Sequence, residues 1–316
     1  GSVRLLNLQS VPKIPSAKRH LPSTLSLMQQ ARTEPFAWID ASQAASWDFP
    51  VWVALGLIDS VELANSQLRR SETGPDELGC RPRDATLYPG VTGPGRWNSF
   101  IYYQLLNCGL RLPPSAGSGS GRVGNPPGYN RLYAFVDGQV SYERWWEAVR
   151  AGRVFVTNGP LILPTVEGEP PGHVFSAESG AEVELEVGVT LSTREPVEYL
   201  EIVRDGRVAY SARLDEWAKS GGRLPKQLFD QSGWFMLRAV TNNQRTYRFA
   251  CTAPYYVQIG SEPRISAGAA QFFVDWVTDR IAQLGDQEPP LAASEAQHYQ
   301  EALAFWKSLR ARANAE

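Results

Sequence analysis

Polar side chains stand at or just past the ends of several predicted strands, where they could bind a ligand. In α/β folds the carboxyl ends of parallel strands meet at one edge of the sheet, and ligands bind there. The side chains in these positions are Asp40, Asn65, Gln67, Ser118 and Asn158, with Arg96 and Arg131 on nearby loops, and Glu62 and Ser115 also lie at strand ends. Neutral amides beside one carboxylate and one arginine suit a polar neutral ligand, such as a sugar, better than a phosphate. The alternative interpretation, equally open, is that Asp40 and Asn158 cap neighbouring helices and turns.

Metal-dependent hydrolysis requires His, Asp and Glu side chains clustered around the ions that activate water. The chain has only His20, His173 and His298, and no two of them stand at the spacing of metal ligands. We therefore expect no metal ligands and no cofactor in this chain, and the sequence identifies no catalytic residue.

Two other motifs suggest catalysis or phosphate binding, and both have a better structural explanation. Asp215 and Glu216 are adjacent, and adjacent strand residues point to opposite faces, so these carboxylates cannot flank one glycosidic bond. The Gly-Ser-Gly-Ser-Gly run over residues 117–121 lacks the lysine that follows in a P-loop. The ten tryptophans fit core packing better than a carbohydrate-binding platform.

The composition is that of a globular protein of 316 residues, long enough for two domains. Lys and Arg number 31 against 33 Asp and Glu, so there is no excess of positive charge to bind a nucleic-acid backbone. No apolar run approaches the roughly 18 residues of a membrane span. The three cysteines are far apart and odd in number, which predicts no disulfide framework.

The elements that must position the strand-end residues alternate between helix and strand from residue 23 to residue 160. Ser141 is a typical N-cap for a helix that carries Trp145, Trp146 and Val149, and Gly152 stands where a left-handed residue would end it. Strands on both sides of this helix, over 131–136 and 153–156, would complete a βαβ unit. Other strands are predicted over 36–39, 60–64 and 110–112, and other helices over 24–31, 50–57 and 97–107. This alternation predicts an α/β sheet of parallel strands, open or part of a barrel.

After residue 160 the hydrophobic period changes to two, which predicts an antiparallel β-sandwich of immunoglobulin-like size. Asp205-Gly206 marks a hairpin turn between two of its strands. Two amphipathic helices, over 267–284 and 294–311 and joined by a linker at Glu288–Pro290, should dock on the α/β domain or on a partner. Four regions result: an N-terminal arm over 1–22, the α/β domain over 23–160, the β-sandwich over 161–260 and the helical tail over 261–316.

An open parallel sheet has edge strands, which proteins normally cover. The N-terminal arm, Val3–Pro22, could pair with such an edge. A second copy of the chain, in a homo-oligomer, or a domain upstream of this sequence could also cover it.

Several segments together resemble one family. They are RLYAFVDG, SYERWWEAVRAGRVFVTNGPL, PGHVF, WDFPVWVALGLIDSVELAN, GRWNSFIYYQLLNCGLRLPPSAGS and GWFMLRAVTNN. Over about residues 34–271 the chain resembles the C-terminal part of metal-dependent hydrolases of the PHP superfamily, in the bacterial group related to carbaryl hydrolase. The resemblance implies a partial PHP-like βα barrel, divalent metal ions and hydrolysis by metal-activated water. It also implies a bacterial protein and is compatible with a periplasmic or secreted location, which the sequence leaves unknown.

The chain departs from this family at the metal ligands that the resemblance implies. The family's opening His-x-His strand is absent. Gly119-Ser120-Gly121 stands in place of Asp-x-His, and Asn65-Ser66-Gln67 lacks the histidine that follows an Asn pair in the family. Two hypotheses stay open. In the first, the chain is part of a hydrolase whose ligand-bearing segment lies upstream. In the second, it is a metal-free pseudoenzyme or a binding protein for a polar neutral ligand.

Overall fold

The structure is a computed structural model, and it describes residues 2–12, 24–76, 78–219, 221–285 and 293–316. Contacts divide the chain into two compact units. The first unit comprises residues 1–62, 77–82 and 265–316, and the second comprises 63–76 and 83–264. His20 and the predicted linker at Glu288–Pro290 lie outside the described residues. No helix in the described ranges has both the length and the apolar character needed to cross a membrane.

Helices and strands are interspersed in the first half of the chain, and strands predominate after it. Up to residue 160 the elements are β1 (Val3–Leu6), α1 (Thr24–Ala31), β2 (Trp38–Ala41), α2 (Phe49–Ala54), β3 (Ser60–Ala64), α3 (Gly93–Asn107), β4 (Pro114–Ala116), β5 (Arg131–Ala134), α4 (Tyr142–Arg150) and β6 (Val154–Thr157). Next come β7 (Leu161–Val166), β8 (Val174–Ala177), β9 (Val183–Leu185), β10 (Val187–Ser192), β11 (Val197–Arg204), β12 (Arg207–Arg213), α5 (Leu214–Lys219), β13 (Gln227–Phe229), β14 (Gly233–Thr241), β15 (Phe249–Thr252) and β16 (Tyr255–Ile259). The last two are α6 (Ala267–Gly285) and α7 (Ala293–Ala311).

In the first unit, β1, β2 and the start of β3 lie side by side in that order. β1 pairs antiparallel with β2, with Arg4 opposite Asp40. β2 pairs in parallel with β3, with Asp40 opposite Ser60. β1 belongs to the N-terminal arm, so Val3–Leu6 of this arm pair with an edge of the sheet, one of the possibilities left open by the sequence.

The two C-terminal helices pack into the first unit, as their apolar faces predict. The rings of Trp306 and Phe273 stack with their centroids 4.3 Å apart. Trp306 Nε1 donates to the Pro50 carbonyl at 3.0 Å, and Trp276 Nε1 donates to the Trp47 carbonyl at 3.1 Å. Each indole therefore buries a large apolar surface while its one N–H group stays hydrogen-bonded.

β3 continues into the second unit, where the Gly117 N–H donates to the Ala64 carbonyl at 2.9 Å and brings β4 beside the end of the strand. The strand predicted over 110–112 forms instead at 114–116. Before this strand, the Tyr102 hydroxyl of α3 donates to the Leu112 carbonyl at 2.6 Å and ties the segment to the helix.

Most of the second unit is a β-sandwich. Its larger sheet has eight strands in the order β12-β11-β14-β15-β6-β5, with β16 beside β14 and β8 beside β16. Two smaller sheets, β10-β7 and β13-β9, share one hydrophobic core with it. This core contains Ile162 and Val166 of β7, Leu185 of β9, and Phe235 and Leu237 of β14.

The predicted hairpin at Asp205-Gly206 is confirmed. Both residues have positive φ, 48° and 85°, and they join the antiparallel strands β11 and β12. The sandwich is not antiparallel throughout, however, because β8 and β16 pair in parallel. A period of two in the sequence indicates a strand with two unlike faces, but it does not determine the direction of its neighbour.

The interpretation of residues 131–157 as a parallel βαβ unit is wrong, although its parts form where predicted. Ser141 Oγ accepts from the Arg144 N–H at 3.2 Å and caps α4, and Gly152 has a φ of 70°. Yet β5 and β6 pair antiparallel, with Arg131 opposite Thr157. α4 has 9 residues and spans about 13 Å. The link over 135–141 and α4 together return the chain to the end of β5 where it left the sheet, since Ala134 pairs with Val154.

The antiparallel pairing of β5 with β6 bears on the domain boundary predicted at residue 160. β5 and β6 precede residue 160, yet they belong to the same sheet as β14 and β15. Strands from both sides of residue 160 therefore form one sandwich. Before residue 160, β2 and β3 pair in parallel.

Candidate functional site

A buried network of amides lies where β3 ends. Asn130 Nδ2 lies 2.7, 3.0 and 3.3 Å from the carbonyl oxygens of Asn65, Gly117 and Leu68. Asn65 Oδ1 accepts from the Gln67 N–H at 3.1 Å. These bonds fix the orientation of both amides, because only the nitrogen can donate and only the oxygen can accept. One group of each amide is left over: Asn65 Nδ2 and Asn130 Oδ1 are buried without a partner among the described residues.

Gln67 and Ser118 belong to the same network. Gln67 Oε1 accepts from Asn98 Nδ2 at 3.2 Å, and its Nε2 donates to the Pro75 carbonyl at 3.1 Å. Ser118 Oγ accepts from the Asn130 N–H at 3.0 Å and donates to the Asn130 carbonyl at 3.2 Å. The structure thus brings together three of the polar residues predicted at strand ends, Asn65, Gln67 and Ser118. Ligand binding by them stays a prediction.

The loop after Ser118 approaches the end of β3 so closely that it needs glycine. Gly119 has a φ of 62°, and a Cβ added there would lie 2.8 Å from the Ser66 Cβ. Gly119, the first residue of the sequence that stands in place of a metal-ligand motif in the resembling family, therefore has a packing role in this chain.

Asn158 links two strands of the sandwich. Its Nδ2 donates to the Tyr247 carbonyl and its Oδ1 accepts from the Phe249 N–H, both at 2.9 Å. The Asn158 N–H also donates to the Phe249 carbonyl at 3.2 Å. The side chain is 3% exposed, and both ends of its amide are bonded to backbone. Asn158 thus extends the β6–β15 pairing beyond the end of β6.

The two predicted arginines differ in their surroundings. Arg96, on α3, is exposed. Burial raises the pKa of Tyr247, and the charge of Arg96 opposes this rise. Arg131, on β5, is half-buried, and its Nε has no partner in the described part of the chain. Neither arginine is hydrogen-bonded to Asn65, Gln67 or Ser118 in the structure.

Asp40 lies in the first unit, where it forms a buried carboxyl pair with Glu62. Their exposures are 2% and 0%. Ser60 Oγ donates to Asp40 Oδ1 at 2.6 Å, and Arg4 Nη1 lies 2.5 Å from Glu62 Oε1. Burial and the Asp40 charge raise the pKa of Glu62 well above its ordinary value, and the Arg4 charge opposes this. Both carboxyl groups are closed to solvent.

The sequence did not predict a second buried polar cluster, which lies in the second unit. Arg238 Nε donates to Glu201 Oε2 at 2.7 Å, and its Nη1 donates to the Tyr103 hydroxyl at 3.1 Å. Burial raises the pKa of Tyr103 and of Tyr247. Glu201 and Arg238 are directly opposite on β11 and β14. Opposite charges on two predicted strands are the signal that could have revealed this pair.

A cavity opens between the sheets of the sandwich beside the edge strand β5, and we call it the edge cavity. Its volume is about 290 Å³. Its lining residues carry no charge: Tyr133, Ala134, Phe135, Phe155, Leu161, Leu163, Thr190 and Ser192. Tyr133 is 39% exposed and stacks on Phe155 with ring centroids 4.9 Å apart. Thr190 and Ser192 add exposed hydroxyl groups. The sequence alone could not reveal this cavity, because it depends on which strands form each sheet.

Within the residues that the structure describes, no group of three or more His, Cys, Asp or Glu side chains is arranged to hold a metal ion. His173 lies 3.3 Å from Glu169, and His298 lies 3.4 Å from Glu301, each as a pair. The expectation that this chain holds no metal ligands stays a prediction.

Comparisons with known proteins add little. No family model matches the chain, and no curated protein matches it. Among solved structures it is similar to the fibronectin(III)-like modules of Clostridium thermocellum CbhA, with 16% identity, 30% of this chain and 96% of that chain covered, and a TM-score of 0.20. It is also similar to the N-terminal four Ig domains of Dscam1 isoform 4.44, with 14% identity, 42% and 37% covered, and a TM-score of 0.20. These scores are too low to carry an argument about fold or function.

Proposed function

We propose that this chain is a binding protein that has lost the hydrolytic chemistry of PHP-like ancestors, and that it binds a small uncharged ligand in the edge cavity. The observation that carries the proposal is the chemistry of this cavity. Aromatic and aliphatic side chains line most of it, two hydroxyl groups lie among them, and no charged side chain contributes. Such a surface favours a neutral ligand with one apolar face and several hydroxyl groups, the class to which sugars belong.

The size of the cavity limits the ligand. Pockets for drug-sized molecules have volumes of roughly 300–1,000 Å³. A cavity of about 290 Å³ lies at the lower end of this range and suits a ligand no larger than a monosaccharide. The exposed face of Tyr133 provides a ring for stacking, and Thr190 provides a hydroxyl group that can both donate and accept.

The loss of hydrolysis is supported by the amide network. Asn65, Gln67, Ser118 and Gly119 occupy positions for which the resemblance implies metal ligands or their neighbours. In this chain hydrogen bonds join Asn65, Gln67 and Ser118 to other groups of the protein. The glycine is needed for close packing against Ser66. The partial PHP-like βα barrel and a hydrolytic ancestry are therefore proposed from the resemblance, with a changed role for the strand ends.

Calorimetric titration with a panel of neutral monosaccharides, in buffer containing a chelator, tests this proposal. We expect saturable binding of at least one sugar, and we expect Tyr133→Ala and Thr190→Val to weaken it roughly fivefold or more. Tyr199→Ala is the matched control, because Tyr199 is a similarly exposed tyrosine on β11, away from β5 in the sheet order. Hydrolysis of a model ester that appears only on addition of manganese or zinc would contradict the proposal.

A further inference from the structure

A second cavity of the second unit is lined by two arginines. Its volume is about 170 Å³, and Arg111 and Arg150 both line it, together with Tyr256. Its remaining walls are mainly backbone at Gly152, Gly172 and Pro254 and the small side chain of Ala253. Gly172 lies so close to the end of α4 that an added Cβ would be 2.3 Å from the Ala151 oxygen. The cavity is therefore formed by closely packed backbone beneath two guanidinium groups.

Both arginines are exposed, and each contacts an uncharged side chain. Arg111 Nη2 donates to Gln258 Oε1 at 2.7 Å, and its Cζ lies 5.0 Å from the centroid of the Tyr256 ring. The Cζ of Arg150 lies 5.7 Å from the centroid of the Trp146 ring. Neither arginine forms an ion pair with a carboxylate in the part of the chain that the structure describes. Two positive charges thus line one cavity without a neutralising partner.

A third arginine lies in an adjoining cavity. This cavity, of about 30 Å³, has room for little more than a water molecule, and it shares Arg111 and Tyr256 with the larger one. Arg264 lines it, and its Nε and Nη1 are buried without a partner among the described residues. Burial raises the pKa of Asp205, and the charges of Arg264 and Arg204 oppose this rise, with Arg204 Nε 3.7 Å from Asp205 Oδ2. Buried guanidinium N–H groups without acceptors are costly, so an acceptor is expected at this place.

We infer that these arginines form a binding site for an oxyanion, the phosphate or carboxylate group of a small ligand. Guanidinium groups donate two parallel hydrogen bonds to such groups, and the charge strengthens each bond. The larger cavity has several times the roughly 30 Å³ of a water molecule, which is enough for a tetrahedral or planar oxyanion. Arg111 donates one hydrogen bond to Gln258, and because a guanidinium carries five N–H donors, others are available to an ion. This site is separate in residues from the edge cavity and does not depend on the proposed sugar binding.

Titration of the full chain with inorganic phosphate and with succinate, at low ionic strength, tests the inference. We expect saturable binding of one ion per chain, and a rise in melting temperature on its addition because the ion binds only the folded state. Arg150→Gln should weaken binding roughly tenfold, the effect of a lost charge-assisted hydrogen bond. Arg111→Lys keeps the charge and the fold and should weaken it severalfold. Arg207→Gln, at an exposed arginine of β12, should leave binding unchanged.

The two ions distinguish the ligand classes. Tighter binding of phosphate identifies a phosphorylated ligand, and tighter binding of succinate identifies a carboxylate. If neither ion binds, or if Arg150→Gln and Arg111→Lys bind both as well as the unaltered chain does, the inference is overturned. The melting temperature without ions separates a folding defect from lost binding.

Discussion

Arg4 and Glu62 meet in the sheet of the first unit, where Arg4 Nη1 lies 2.5 Å from Glu62 Oε1. Arg4 comes from the N-terminal strand, and Glu62 comes from the strand on the other side of β2. The contact connects the start of the chain to a carboxyl group that is closed to solvent and lies beside Asp40. Burial is the largest influence on Glu62, and it raises the pKa of this carboxyl group well above its ordinary value despite the arginine.

Stability should therefore depend on pH through Glu62. Its pKa is higher in the folded state than in the unfolded chain, so its contribution is fully present below the unfolded pKa of about 4.5 and is lost as pH rises through the folded pKa. Glu62→Gln removes this titration and keeps a neutral group of similar shape. We expect the free energy of unfolding of the variant to fall less between pH 5 and pH 8, measured by urea denaturation.

Glu143→Gln is the control for this prediction. Glu143 is exposed in the first turn of α4, and hydrogen bonds to its own backbone N–H and to Ser141 lower its pKa. Its contribution has the opposite sign, since it is present above the unfolded pKa and is lost as pH falls. A Glu62→Gln variant with the same pH dependence as the unaltered chain would mean that Glu62 is charged in the folded state.

Asn158 should matter for stability. Asn158→Ala removes two hydrogen bonds and leaves the Tyr247 carbonyl and the Phe249 N–H without side-chain partners in a buried place. We expect a loss of roughly 2–4 kcal/mol in the free energy of unfolding, measured by chemical denaturation. Asn242→Ala, at an exposed asparagine, should change it by less than about 0.5 kcal/mol. A loss of ligand binding by Asn158→Ala at unchanged stability would instead favour the ligand site that the sequence predicts at the strand ends.

Asn130 should tolerate alanine better than aspartate. Its Nδ2 faces three carbonyl oxygens, and Asn130→Asp would place a carboxylate oxygen against them. We expect losses in the free energy of unfolding of roughly 1–3 kcal/mol for Asn130→Ala and roughly 3–5 kcal/mol for Asn130→Asp at pH 8. The aspartate variant should regain stability as pH falls, because the buried acid is then protonated. Equal stability of the two variants at pH 8 would show that Nδ2 does not face the three carbonyl oxygens.

Trp306 should hold the C-terminal helices in the first unit. Trp306→Ala removes a fully buried ring that stacks on Phe273, and we expect it to lower the free energy of unfolding by roughly 3–5 kcal/mol. Trp306→Phe keeps a ring but loses the bond to the Pro50 carbonyl, so its effect should be smaller. Thermal unfolding followed by circular dichroism measures both. Phe36→Ala is the control, since Phe36 is 57% exposed, and a similar loss from it would mean that burial does not explain the effect.

The sequence predicted local features well because their causes are local. Ser141 at the start of α4 and Asp205-Gly206 at a hairpin act through bonds and dihedral angles within a few residues. The direction of strand pairing was not predictable in the same way. β5 and β6 have the composition of a parallel pair around a helix, yet they pair antiparallel. Pairing between strands distant in sequence, such as β6 with β15, is absent from any local pattern.

Among the candidate sites too, local sequence predicted one, and it did not predict those that depend on distant strands. Asn65, Gln67 and Ser118 were found because polar residues at the ends of predicted strands are visible in the sequence, and they do lie in one network. The edge cavity and the arginine site could not be found, because each joins residues from distant strands. Tyr133 and Thr190, for example, meet only because β5 and β10 lie in different sheets of one sandwich.

The most direct test of the proposed function is an NMR titration of the full chain with a neutral monosaccharide in buffer that contains a chelator. Sugar binding in the edge cavity predicts saturable shifts of the backbone amides of Tyr133, Phe135 and Thr190, and their loss in the Tyr133→Ala variant. Absence of any shift at these residues for every sugar tested, together with metal-dependent hydrolysis of a model ester by the same sample, would contradict the account.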